Sequence, residues 1–286
     1  MAFIFLTFLV INILTIAWNL LIIILILTDP CLHTPMYFFL GNLSCLETCY
    51  TSIVIPPMLL GLLKERKHLS LLGCLVQAYF FGSFAAAECF LLVAMAYDGY
   101  LAICCPLHYG AVMDHILCTQ LSTASWIMSF LLVGFGFCLI LRRHFCGPWE
   151  LENFFCDSIM LLKLTCPVSD QTELVFLILA AMATLIPFLL TVASYIVIVS
   201  TIIRIPSSTK RQKAFSTCSS HLTVVTMFYG TLIMVPPTEM FAKVQKYLSL
   251  LYTVVTPMFN PVIYSLRKGE FQGAWRRTFR RIVILK

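Results

Sequence analysis

Seven long apolar stretches fix what this chain can become. They run roughly over 2–27, 34–60, 72–103, 117–141, 172–203, 212–236 and 247–266, each near or above the ~20 residues a helix needs to cross a bilayer. Several contain Pro or Gly, which spanning helices tolerate when neighbours re-satisfy the backbone. Only 11% of the residues are charged and 60% are hydrophobic, whereas a soluble domain carries about a quarter charged. That excess of apolar surface needs lipid to cover it. There is no internal repeat, low-complexity tract or dividing linker, so 1–286 reads as one domain. The fold class is an all-α membrane protein, a seven-transmembrane-helix bundle. The first stretch lacks a basic leader and is too long for a signal-peptide core. It reads as the first span, with almost nothing before it outside the membrane.

Seven spans place the two ends on opposite sides. Of the 19 Lys and Arg residues, eleven fall after helices 1, 3 and 5 or in the tail, and eight on the other side, Lys64–Lys67 among them. This bias places the C-terminus inside and the N-terminus outside. In the tail, Phe271, Trp275 and Phe279 recur every four residues among basic ones. That pattern predicts a short amphipathic helix over 268–281 on the inner leaflet.

Most of the 13 cysteines lie in apolar helices, where a free Cys is a small hydrophobe. Cys146, Cys156 and Cys166 instead fall in a polar loop on the expected outer, oxidising side. Cys74 stands at the outer end of helix 3. Four cysteines allow three pairings. No Cys/His pair has zinc spacing.

Two carboxylates, Glu47 and Glu88, lie deep in apolar helices. A charge there is costly and is a functional candidate by default. Either the acids are protonated and hydrogen-bonded, or they share a polar pocket with Asn19 and Asn260. Such a pocket can hold a sodium ion, because a hard cation prefers oxygen ligands. No other cofactor is indicated.

Four motifs carry a resemblance. They are His33-Thr34-Pro35-Met36-Tyr37-Phe38-Phe39-Leu40, Met95-Ala96-Tyr97-Asp98-Gly99-Tyr100 with the following Leu101–Tyr109, Lys213–Leu222, and Pro257-Met258-Phe259-Asn260-Pro261-Val262-Ile263-Tyr264. In this order the chain resembles the olfactory (odorant) receptors, rhodopsin-like G-protein-coupled receptors, of tetrapod type (class II). The resemblance covers nearly the whole chain. It implies a receptor in the plasma membrane rather than an enzyme or a nucleic-acid binder. A small volatile ligand would bind in the outer half, and a heterotrimeric G protein of the stimulatory, olfactory type would be the partner.

The resemblance also assigns residues. It selects Cys74–Cys156 and Cys146–Cys166 as the disulfides. Counting helical turns from the motifs places Phe81, Gly82, Ala85, Ala86, Leu179, Ala183, Tyr229, Leu232 and Thr253 near the ligand. These are mostly small or apolar, with two hydroxyls and no charged anchor, so the ligand is expected to be neutral. Activation and coupling fall to Asp98, Gly99, Tyr100, Tyr195, His221, Asn260, Pro261 and Tyr264. Pro261 would kink helix 7, and Tyr264 would swing toward Tyr195.

Two departures stand out. The family pattern has Arg where this chain has Gly99, which can neither pair with Asp98 nor reach a G protein. Coupling is therefore expected to be impaired, with Asp98 solvated by interfacial water. The one Asn-x-Ser/Thr triplet, Asn42-Leu43-Ser44, is at the inner end of helix 2 and out of reach of glycosylation. Retention in the endoplasmic reticulum follows as an expectation. The rival reading is a small ion- or proton-coupled transporter relaying through Glu47 and Glu88. It lacks the repeats and paired broken helices such transporters show.

Overall fold

The computed structural model describes residues 2–64, 71–146, 156, 161, 164–166, 170–233, 257–258, 260, 263 and 273–277. Its helices are α1 (Ala2–Thr28), α2 (Pro35–Lys64), α3 (Leu71–Cys104), α4 (Pro106–Val112), α5 (His115–Leu141), α6 (Asp170–Ala180), α7 (Ile186–Ile203) and α8 (Ser208–Ile233). A single π-helical turn, Ala181–Leu185, joins α6 to α7 into one long rod. Among the described residues, five segments are long and apolar enough to cross a membrane. The chain is an all-α membrane protein. Of the sixth and last expected spans and the tail helix, residues 234–236, 247–256, 259, 261–262, 264–266, 268–272 and 278–281 are outside the described residues. Residues 273–277 are helical.

α3 is the hub. It packs against α2, α5, α7 and α8, while α1 packs against α2. Its sequence explains this position: small residues (Ala78, Ala86, Ala87, Ala94 and Ala96) are buried along it and let neighbours approach. Between them, Tyr79, Phe80 and Phe84 meet Trp126, Phe130 and Phe137 of α5 edge-on, with Phe84–Trp126 at 6.1 Å and Tyr79–Phe137 at 5.4 Å. Edge-to-face rings at this spacing add specific attraction to simple burial. The outward faces of α1, α5 and α7 stay apolar and exposed, as a lipid-facing surface requires; Leu27, Leu131 and Ile196 are examples.

Helix ends are set locally. Asp29 accepts the Cys31 amide at 3.0 Å and starts a short 3-10 turn that reverses the chain into α2. Asp114 caps α5 by accepting the Leu117 amide at 2.7 Å. The π turn sits just before Pro187. Pro187 has no N–H for the carbonyl four residues back, and the widened turn, with the Ile186 N–H donating to Ala181 O, absorbs that mismatch.

Asn42 belongs to this framework. Its Oδ1 accepts Ser122 Oγ at 2.7 Å and the Trp126 indole at 3.3 Å, tying α2 to α5.

Candidate functional site

The middle of the bundle holds a buried polar centre. Asn19 on α1, Glu47 on α2, Glu88 on α3 and Asn260 are all shielded from solvent. The Asn260 amide donates to Glu47 Oε1 in a short bond. Asn19 Nδ2 donates to Thr15 O at 3.1 Å and to Pro257 O at 3.4 Å. Pro257 O is the carbonyl to which Pro261, four residues on, has no N–H to offer. Glu47 Oε2, Glu88 Oε1, Asn19 Oδ1 and Asn260 Oδ1 are buried with no hydrogen-bond partner among the described residues. Carboxylate and amide oxygens only accept. Four of them converging from separate segments suit a cation or ordered water. Oxygen donors of this kind are the ligands a hard cation prefers.

Two disulfides mark one end of the bundle. Cys74 is bonded to Cys156 and Cys146 to Cys166, with Cα–Cα separations of 5.2 and 5.0 Å. The second closes a small antiparallel pairing: the Cys146 amide donates to Leu164 O and the Cys166 amide to His144 O, both at 3.0 Å. Gln77 is buried one turn along from Cys74. Its Oε1 accepts the Cys156 amide at 3.0 Å and its Nε2 donates to Ile53 O at 3.4 Å. Pro57 leaves Ile53 O without its intrahelical donor. One side chain therefore serves both the loop and the proline break in α2.

The residues expected near ligand differ in burial. Ala86, Ala183 and Tyr229 are buried, while Phe81, Gly82 and Ala85 are partly buried. Phe81 leans on Tyr50 at 5.2 Å, and Tyr229 on Phe188 at 4.9 Å. Leu179 is partly buried, and its Cδ1 lies 3.4 Å from where a Cβ on Gly136 of α5 would sit. The Leu232 side chain and Thr253 lie outside the described residues.

At the opposite end, Asp98 is buried rather than solvated, which corrects the expectation above. The Tyr109 phenol of α4 donates to Asp98 Oδ1 at 2.8 Å. Burial and the Asp98 carboxylate both push the Tyr109 phenol above its ordinary pKa, so it stays protonated as the donor. Tyr195 and His221 Nδ1 share a short hydrogen bond linking α7 to α8. Tyr100 is partly buried between the core around α3 and the cluster of Ala96, Tyr195 and Ile198. Asp98, Gly99, Tyr109, Tyr195, Lys210 and His221 help line a cavity of about 440 Å³. Pro261 and Tyr264 lie outside the described residues.

Beside this end, Arg277 reaches Asp29, with Nε at 2.9 Å and a terminal nitrogen at 2.8 Å from Oδ2. Burial opposes ionisation of Asp29. The Cys31 amide and the Arg277 guanidinium outweigh it and hold the carboxyl below its usual pKa. Ala274 is buried and Trp275 exposed on the same short helix; Phe271 and Phe279 are outside the described residues.

Comparison with known proteins decides the family. The olfactory receptor profile matches residues 8–281. The chain belongs to the olfactory receptor family. It is 45% identical to "Olfactory receptor 10A5" of Homo sapiens over 285 residues, 99% of this chain and 90% of the relative. It is 46% identical to "Olfactory receptor 10C1" of Homo sapiens over 98% of this chain and 90% of the relative. It is also 46% identical to "Olfactory receptor 1G1" of Gorilla gorilla gorilla over 95% and 88%. An olfactory receptor is a G-protein-coupled receptor of the plasma membrane and not an enzyme, with an odorant as ligand and a G protein as partner. The transporter reading falls with that assignment. In this olfactory receptor, sequence reading missed the Gln77 tether, the Tyr109–Asp98 bond and the Asp29–Arg277 pair. The first had a signal: a lone Gln three residues after Cys74 in an apolar helix, beside a neighbouring Pro-Pro break.

Proposed function

We propose that the chain is an odorant receptor for a small, neutral volatile, with the N-terminus outside and the C-terminus cytoplasmic, and that it couples poorly to a stimulatory, olfactory-type G protein. The ligand would lie between the disulfide end and the polar centre, against Phe81, Gly82, Ala85, Ala86, Ala183 and Tyr229, with Leu232 and Thr253 completing the wall. Burial would supply the affinity and one hydroxyl the orientation. Glu47, Glu88, Asn19 and Asn260 would hold a sodium ion, supplying positive charge that offsets the two carboxylates. Asp98, Tyr100, Tyr195, His221, Asn260, Pro261 and Tyr264 would carry the rearrangement.

The observation that carries the coupling reading is Gly99. Asp98 beside it is turned to Tyr109, and Gly99 offers no side chain to a partner at the cavity mouth. The test is odorant-evoked cAMP from this chain and from Gly99→Arg at matched surface expression. A panel of neutral volatiles would first be screened on the Arg variant. The variant should respond several-fold more strongly. Equal responses to one agonist would overturn the reading. Asn42, in the one glycosylation triplet, is committed to Ser122 and Trp126. We therefore also read the chain as retained in the endoplasmic reticulum; a grafted glycosylated leader should raise its surface staining, and strong staining without one would contradict this.

A further inference from the structure

We propose that α1 carries a hydrated side branch of the buried polar centre, running from Asn19 past Thr15 to Asn12, and that a small monovalent cation enters and leaves the centre through it. The proposal rests on the reading of that centre as a cation site. Three side-chain oxygens mark the branch: Asn12 Oδ1, Thr15 Oγ1 and Asn19 Oδ1 are each buried with no hydrogen-bond partner among the described residues. Spaced three and then four residues apart, they share one face of the helix. Thr15 and Asn19 are 3% and 0% exposed, so that face turns to the bundle interior, while Val10, Ile13 and Leu14 are exposed on the lipid side. From Asn19 to Asn12 the file covers about 10 Å of helix axis, at ~1.5 Å per residue.

Buried oxygens of this kind are met by ordered water, which stays only where several polar partners converge. The Thr15 hydroxyl both donates and accepts, so it can bridge a water on the Asn12 side to one on the Asn19 side. Asn19 Nδ2 is spent on Thr15 O and Pro257 O, which leaves its oxygen as the acceptor joining the branch to the centre. Amide and hydroxyl oxygens can stand in for the water around a hard cation. The file is neutral, which suits a single positive charge carried with part of its water.

Beyond Asn12 the branch is closed. Phe5, Phe8 and Ile11 of α1 pack on Ile55, Met58 and Leu59 of α2. An apolar constriction blocks ions while it is dry and passes them when it wets. The seal stands at Pro56 and Pro57, where α2 lacks regular backbone bonds. The stretch of α2 that closes the branch is therefore also the stretch best able to shift.

The test uses the full chain in lipid nanodiscs and the silver ion, a thiol-binding monovalent cation that lipid excludes. α1 contains no cysteine, the first in the chain being Cys31. Thr15→Cys therefore puts a single thiol in the branch, and Leu14→Cys puts one beside it on the lipid face, where Leu14 is 57% exposed. Silver arrival is read as protection of the introduced thiol from alkylation after unfolding, in mass-mapped α1 peptides. The Thr15→Cys thiol should be protected several-fold faster than the Leu14→Cys thiol. Phe8→Ala, which thins the seal, should speed protection further, and Asn12→Leu, which removes polar lining, should slow it. The Cys74–Cys156 bond in the same digest reports folding, and Asn12→Cys stands in if Thr15→Cys does not fold. Equal protection of the branch and lipid-face thiols, or a rate indifferent to Phe8→Ala, would overturn the proposal. The sodium-over-potassium stability difference of the unsubstituted chain tests occupancy of the centre separately, so failure of the ion reading is told apart from failure of the passage.

Discussion

Replacing Gln77 with Leu isolates the link between the disulfide loop and α2. Gln77 is 3% exposed and gives two bonds, to the Cys156 amide at 3.0 Å and to Ile53 O at 3.4 Å. A buried donor left unpaired costs about 1–3 kcal/mol, so loss of the Cys156 contact is worth about 2 kcal/mol. The longer Ile53 bond adds about 1 kcal/mol. Leu regains about 1 kcal/mol through its apolar surface. The net of about 2 kcal/mol is roughly a 30-fold rise in the open population of that segment. Cys74–Cys156 remains intact, so the effect is local opening rather than loss of the fold. Hydrogen exchange read by mass spectrometry on the purified chain should show the peptide around Cys156 exchanging roughly 30-fold faster, with α5 peptides unchanged. Unchanged protection at Cys156 would refute the tether. Uniform acceleration everywhere would refute its local character.

Non-reduced peptide mapping should recover Cys74 linked to Cys156 and Cys146 linked to Cys166; an alkylatable Cys74 in folded protein would contradict the first bond. Sodium should raise the thermal midpoint above potassium at equal ionic strength, and Glu47→Gln or Glu88→Gln should shrink that difference. A difference that persists in both variants would move the ion elsewhere. Asp29 has a depressed pKa in the folded chain, so its pairing with Arg277 contributes fully above the unfolded value of about 3.9 and is lost as pH falls through the folded value. Trp275 emission, taken as the difference from Trp275→Phe, should stay flat down to about pH 4 and change below it, and Arg277→Ala should remove the step.

What the sequence revealed and what it hid follow from range. Helix positions were legible because each span is written locally, as a continuous apolar run; the expected 72–103 became Leu71–Cys104, and 117–141 became His115–Leu141. The rod expected over 172–203 contains the π turn Ala181–Leu185, a one-residue change of phase that a uniform helical count cannot register. Asp98 misled the reading. Its partner Tyr109 lies eleven residues on, across the turn from α3 into α4, and no periodicity connects the two.

The prolines join these cases. A proline announces in sequence that a carbonyl four residues earlier loses its donor, but not which group replaces it. In α2 the replacement is Gln77 from α3, a residue that also holds the disulfide loop. At Pro257 it is Asn19 from α1, a residue of the buried polar centre. Each repair spans a helix–helix contact, so each proline break is stitched to a second structural feature. The break in α2 is tied to the loop at the disulfide end, and the one at Pro257 to the acids at the centre. A break repaired by its own helix could flex alone. In these two, straightening the break would also disturb a side chain that bonds elsewhere in the bundle. This makes Gln77 and Asn19 the residues through which motion at one proline would be felt elsewhere in the receptor.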